Sequence, residues 1–343
     1  NYIVTSLHQI PTGEKWNLTD VEDRINLINK SNNDYANQLK WNVVESIPVH
    51  NDIKLRKNNF KKYIANYKDT IVNIAKNKIP IICYNFMPII DWTRTDLKHK
   101  LPNGAYALRF DQVKFSAFDL FILKRKSAVT EYTYQEVVEA KYCFEKMSET
   151  ERTELTNNII AGLPGKMRKS YGLDDFRAML AKYDGINRNI LRQNLFSFLS
   201  QVLPRAEKLG VKLAIHPDDP PRDMFGLPRV ICTAADLEIL FKAQPSPSNG
   251  ITLCVGTYGS RPDNDLPAMA RKFGNRIHFS HLRGVSRDEA EQRSFIEANH
   301  LDSDIDMVGV IKELLNEERR RLKEEPEREG IFIRPDHGHQ MMS

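Results

Sequence analysis

The sequence predicts an α/β protein built as a (β/α)8 barrel, and three observations predict it. Seven short β-type runs recur along the chain. Between most of them lie 20–45 residues with helical periodicity, such as Phe60–Asn77 and Ile305–Lys323. Several runs also end in polar side chains able to carry chemistry. Strand–helix alternation means parallel strands with covering helices. An open doubly wound sheet is the alternative, but it concentrates its site near one switch point, whereas a barrel uses many strand ends.

Taken in order, the runs are Tyr2–Leu7 (YIVTSL), Trp41–Val49 (WNVVESIPV), Ile79–Tyr84 (IPIICY), Val211–Ile215 (VKLAI), Ile251–Val255 (ITLCV), Arg276–Ser280 (RIHFS) and Ile331–Arg334 (IFIR). Their near-continuous apolar character fits burial on both faces. One connection is long: about 125 residues separate Tyr84 from Val211. Its segments YTYQEVVEAKYCFEKM and SETERTELTNNIIAGL read as helical, and residues 98–185 are expected to form a helical insertion, a lid over the barrel mouth, within a single domain spanning 1–343. The run NEERRRLKEEPEREG reads as a solvated helix end.

Composition narrows the function. A net charge of +5 on 343 residues admits an anionic substrate. No clustering of Lys and Arg with aromatics supports nucleic-acid binding. No apolar run reaches the ~18 residues of a membrane span, and the first residues lack the pattern of a secretory signal. The four cysteines, Cys83, Cys143, Cys232 and Cys254, show no CxxC spacing, which points to reduced thiols in a cytoplasm.

The strand ends carry the strongest signal. In a barrel, alternate residues of a strand point inward. That parity groups Ala214 with His216, Thr252 with Cys254, Phe279 with His281 and Arg283, and Arg334 with Asp336. Four successive strands thus each offer one ligand-type side chain: His216, Cys254, His281 and Asp336. Imidazole, thiolate and carboxylate together suit a transition metal better than Mg²⁺ or Ca²⁺. Each residue has a plainer reading: a hydrogen-bonded histidine, a small buried cysteine, an aspartate in a turn. His216 also precedes a rigid Pro-Asp-Asp-Pro-Pro loop, where Asp219 either orients a histidine or caps a turn.

Several long strings are similar to those of one family. CYNFMPIIDWTRTDL (83–97), HPDDPP with GLPRVI (216–231) and RPDHGHQM (334–341) closely resemble bacterial mannonate dehydratases. LHQIPTGEKW, VVESIPVHNDIK and NIIAGLPG extend the likeness over nearly the whole chain. The resemblance implies a xylose-isomerase-like TIM barrel and one divalent ion, Mn²⁺ or Fe²⁺. It implies dehydration of D-mannonate to 2-keto-3-deoxy-D-gluconate in hexuronate (glucuronate) breakdown, and a homo-oligomer, a dimer. The family's metal ligands fall on His216, Cys254, His281 and Asp336, and its active-site histidine on His337. Val255 departs from the hydroxyl residue usual in the family. The resemblance also places a first strand, a last helix and an active-site tyrosine outside this chain.

Substrate contacts are expected from Trp92 and Arg94, just past a strand end, from Arg283, and from His8. An arginine fork suits a carboxylate; alternatively Arg94 pairs with Asp91 or Asp96, and Arg283 with Asp218 or Asp219. His337 is the candidate for acid–base work, its partner unassigned. A sugar isomerase on the same fold would want a site richer in Asp and Glu, against which Cys254 speaks. A metal-dependent abasic-site nuclease would want a basic face. A catalytically incomplete barrel that binds a sugar acid is the non-enzymatic alternative.

Overall fold

The computed structural model describes residues 2–30, 39–163, 172–328 and 330–341. Its centre is one parallel sheet of seven strands: β1 (Tyr2–Thr5), β2 (Lys40–Glu45), β3 (Ile81–Tyr84), β6 (Lys212–Ile215), β7 (Asn249–Cys254), β8 (Ile277–His281) and β11 (Phe332–Arg334). Spatial order follows chain order, β1-β2-β3-β6-β7-β8-β11. All seven runs read from the sequence are therefore strands of one sheet. The sheet curls until its edges face each other: the Tyr2 hydroxyl donates to the Ile333 carbonyl and accepts from the Ile333 amide.

The two faces of the sheet pack differently. Val43, Ile81, Cys83, Ala214 and Phe279, with Val4 and Phe332 against them, form a small apolar cluster on the concave face. The convex face is covered by helices. Helix Arg188–Lys208 buries Leu191, Leu195, Phe198, Leu199, Val202 and Ala206, a stripe at helical spacing. Its start is capped by Asn187, whose side chain accepts from the Ile190 amide at 3.0 Å. Helix Phe60–Lys76 presents Ile64, Tyr67, Ile71 and Ile74 in the same way.

Within the long connection the structure corrects the expectation of a helical insertion. It opens with a hairpin, β4 (Asp96–Lys100) and β5 (Tyr106–Phe110), turned by Pro102-Asn103-Gly104 with Gly104 at φ +87°. This hairpin joins β9 (Gly284–Arg287) and β10 (Phe295–Ala298) in a second, antiparallel sheet of order β4-β5-β10-β9. The partner of β5 lies about 185 residues away in sequence, beyond the reach of local periodicity. Helices follow, including Tyr134–Lys146 and Glu149–Ile160, each opened by a capping box, Thr133 with Glu136 and Ser148 with Glu151. The last residues of NIIAGLPG lie outside the described residues. The insertion seats tightly where Gly162 meets the chain after β3: a Cβ there would stand 2.0 Å from the Trp92 carbonyl.

The charged run near residue 320 is only partly a solvated end. Arg321 is buried and donates to the carbonyls of Gly274 and Ile277, each at 2.8 Å, tying its helix to the start of β8. Among the described residues no helix is long and apolar enough to cross a membrane. All four cysteines are free thiols.

Candidate active site

The C-terminal ends of β6, β7 and β8 bring His216, Cys254 and His281 together, with ligand atoms all within 4.8 Å of one another. The three strands are adjacent and parallel, so residues at the same height share one side of the sheet. Asp336, two residues past β11, adjoins this group: its Oδ2 is 3.6 Å from His281 Nδ1 and 4.0 Å from Cys254 Sγ. Its backbone is left-handed, φ +50°, a conformation Asp tolerates better than most residues. Arg334 holds the other carboxylate oxygen at 2.5 Å.

The donor chemistry fits a metal ion. His216 Nδ1 lies 2.7 Å from the Pro217 carbonyl, which can only accept, so Nδ1 carries a hydrogen and Nε2 is the nitrogen available to a ligand. His281 is buried, yet neither ring nitrogen makes a hydrogen bond of good geometry. Burial pushes the Cys254 thiol up, but the two histidines beside it more than offset this and hold it well below the usual thiol range. Burial pulls His281 down, and the neighbouring Glu45 and Cys254 outweigh it, raising the imidazole to about 10. Asp336 is likewise held well below the usual carboxylate range, burial being outweighed by His281, His337, Arg283 and Arg334. A thiolate and a carboxylate gathered around two imidazoles would be a favourable nest for a dication.

His216, His281 and Asp336 open into a cavity of about 200 Å³, lined also by Asn85, Asp91, Trp92, Asp219, Arg283 and His337. Trp92 and His337, both expected at the site, belong to this lining; His8 does not, being exposed and outside it.

Arg94 and Arg283 are both buried, and their forks are already filled. Arg94 donates to both oxygens of Asp219, at 2.9 and 3.1 Å, and to Glu297 Oε1 at 3.2 Å. Arg283 grips Glu297 bidentately, at 2.7 Å through both Nε and Nη2, and reaches Asp219 at 2.9 Å. Two cations and two anions thus balance in a buried ring. The expected partners Asp91 and Asp96 of Arg94 are not the ones it takes. Asp219 is this ring's acceptor rather than a turn cap. It is Asp218 that accepts from the backbone, from the Val230 and Ile231 amides at 2.8 Å each. Thr257 links the ring to the ligand group, lying 3.1 Å from Cys254 Sγ and 2.9 Å from Arg283 Nη1.

Two carboxylates of the site, Glu45 and Glu297, are not singled out by strand-end parity. Glu45, at the end of β2, puts Oε1 2.8 Å from His281 Nε2. Glu297, on β10, stands 3.2 Å from His337 Nδ1. Glu45 sits inside the run WNVVESIPV, where a charged residue in an otherwise buried strand was a usable signal. Glu297 carries no such signal, because its strand, β10, is not among the seven β-type runs.

Comparison with known proteins gives concordant results. The family model described as D-mannonate dehydratase (UxuA) matches residues 1–343. A mannonate dehydratase of Marinomonas sp. (strain MWYL1) is 50% identical over 341 residues, 99% of this chain and 85% of that protein. One from Saccharophagus degradans is 49% identical over 339 residues, covering 99% and 83%. The crystal structure of mannonate dehydratase from Streptococcus suis serotype 2 superposes with a TM-score of 0.71 at 34% identity, covering 99% of this chain and 79% of that one.

Proposed function

The chain belongs to the D-mannonate dehydratase family, and from that premise we propose how its residues divide the work of this hydro-lyase. The reaction removes a proton from C2 of D-mannonate and the hydroxyl from C3, giving 2-keto-3-deoxy-D-gluconate and water. The carbanion formed α to a carboxylate needs positive charge beside it, and hydroxide needs help to leave. We read the curled sheet as part of an eight-stranded, xylose-isomerase-like barrel whose chemistry sits at the C-terminal strand ends.

His216, Cys254, His281 and Asp336 hold one divalent ion, Mn²⁺ or Fe²⁺. When bound, the ion supplies Lewis acidity toward substrate oxygens. His337 lines the cavity and moves a proton at Nε2, the ring nitrogen turned away from Glu297. Trp92 offers its ring to the sugar chain. Arg283, with its hydrogen-bonding atoms occupied, acts on the acid's carboxylate through its field rather than as an open fork. Arg94 stands behind Trp92, its guanidinium 5.5 Å from the indole, and braces the loop. The insertion serves as a lid. The protein works in the cytoplasm as a homodimer.

The observation that carries this reading is the convergence of His216, Cys254 and His281 within 4.8 Å at three adjacent strand ends. The test is keto-acid formation from D-mannonate by protein stripped of metal and then given Mn²⁺ or Fe²⁺, beside Cys254→Ser and His337→Asn. Restored turnover in the parent and loss in both variants is expected. Substrate binding without metal-dependent turnover would replace the proposal with the binding-only barrel.

A further inference from the structure

Glu297 lies on β10 of the second, antiparallel sheet and not at an end of the central strands, yet it touches the histidine that faces the cavity. We propose that Glu297 is a positioning residue for His337, fixing the imidazole tautomer that presents Nε2 to the substrate. This rests on the reading of His337 as the acid–base group.

The geometry leaves little freedom. Glu297 is 1% exposed. Its Oε1 accepts from Arg283 Nη2 at 2.7 Å and from Arg94 Nη2 at 3.2 Å, and its Oε2 from Arg283 Nε at 2.7 Å. Two guanidinium groups keep it ionised, and an ionised carboxylate can only accept hydrogen bonds. His337 Nδ1, 3.2 Å from Oε1, must therefore carry its hydrogen. A neutral imidazole has one N–H, so Nε2 is left as the acceptor, the form that can take a proton.

The same residue holds the loop as well as the ring. His337 lies between Asp336 and His339 in a segment without regular structure. His339 Nε2 reaches the Glu297 carbonyl at 3.0 Å, and the Gln340 amide donates to the Tyr106 carbonyl at 2.8 Å. Two histidines of the RPDHGHQ string are thus pinned to one residue of β10, one through its side chain and one through its main chain. The hairpin that the insertion contributes, by pairing β5 with β10, sets the height of that strand. Carboxylates that orient metal-ligating histidines are worth about 10- to 100-fold in affinity or activity, and an effect of the same order is expected for His337.

Two measurements test the proposal. Nitrogen-15 NMR of the imidazoles in metal-free protein, with His337 assigned by its loss in His337→Asn, reports the tautomer directly. A protonated Nδ1 with a bare Nε2 is expected in the parent, and a mixed population in Glu297→Gln. A parent His337 with the hydrogen on Nε2 overturns the proposal even should the Gln variant fail to fold. In turnover, Glu297→Gln should lower kcat by about 10- to 100-fold with little change in KM. Added to His337→Asn it should cost nothing further. An equal loss in both backgrounds shows a merely structural role and overturns the proposal. Undiminished turnover in His337→Asn would instead sink the underlying reading of His337, whatever the tautomer.

Discussion

His281 Nε2 stands 2.8 Å from Glu45 Oε1 while its Nδ1 faces Asp336 Oδ2 at 3.6 Å, so the most buried imidazole of the site has a carboxylate on either side. The second of these is a candidate ligand. The first is the partner that commonly orients a ligating histidine from behind. Burial pushes the Glu45 carboxyl up, but His281 and then Arg334, whose Nη1 lies 2.6 Å from Oε2, outweigh it and hold it below its ordinary value.

Glu45→Gln should therefore weaken metal binding by about 10- to 100-fold without unfolding the sheet. Competition with a chromophoric chelator measures the affinity, and circular dichroism checks the fold. Unchanged affinity would show that Glu45 serves only Arg334.

Gly256 tests the buried ring from its other side. A Cβ at this position would lie 2.4 Å from Arg283 Cγ and 2.7 Å from its Cδ. Gly256→Ala must push Arg283 off Glu297 or Asp219. A stability loss of about 1–3 kcal/mol is expected, accompanied by a fall in kcat. Urea denaturation alongside steady-state kinetics reads both.

Gly162→Ala probes the seat of the insertion. The added methyl would meet the Trp92 carbonyl at 2.0 Å and Ile90 Cγ2 at 2.8 Å, and the neighbouring Asp91 amide donates to the Gly162 carbonyl at 3.1 Å. The strand-end loop must shift, carrying Trp92 with it. KM for D-mannonate should rise more than kcat falls; equal effects on both would place Trp92 outside the binding surface.

Acid should unfold the protein partly through Glu297. Burial pushes its carboxyl up, but Arg283, His337 and Arg94 outweigh this and hold it at about 2, against an ordinary value of 4.5. A carboxyl depressed in the folded state contributes stability that is present above about 4.5 and is lost as the pH falls toward about 2. Urea midpoints of the parent and Glu297→Gln should differ at pH 7 and converge only as the pH falls to about 2, where the parent's carboxyl begins to take up its proton in the folded state as well. A constant difference across that range would contradict the assignment.

Phe198 anchors the covering helix on the sheet. It is 1% exposed, with ring centroids 5.1 Å from Tyr67, 6.1 Å from Tyr84 and 6.0 Å from Phe86. Phe198→Ala should cost about 3–5 kcal/mol in urea denaturation, since the site is too constrained to collapse.

The sequence by itself determined the seven central strands, their parallel order, the covering helices and the inward side of His216, Cys254 and His281. These are properties of local periodicity: residues two apart in a strand share a face, and three or four apart in a helix share a stripe. Long strings such as DWTRTDL and RPDHGHQ carried the family as well. What only the tertiary structure decided is which charges meet. Arg94 finds Asp219 across 125 positions and Glu297 across 203, and His337 finds Glu297 across 40. No period in the chain encodes such pairs. They follow from how β10 pairs with β5 and from where the curled sheet delivers its strand ends. The polar ring is thus an outcome of topology, with each charge held buried because its opposite arrives from a distant element.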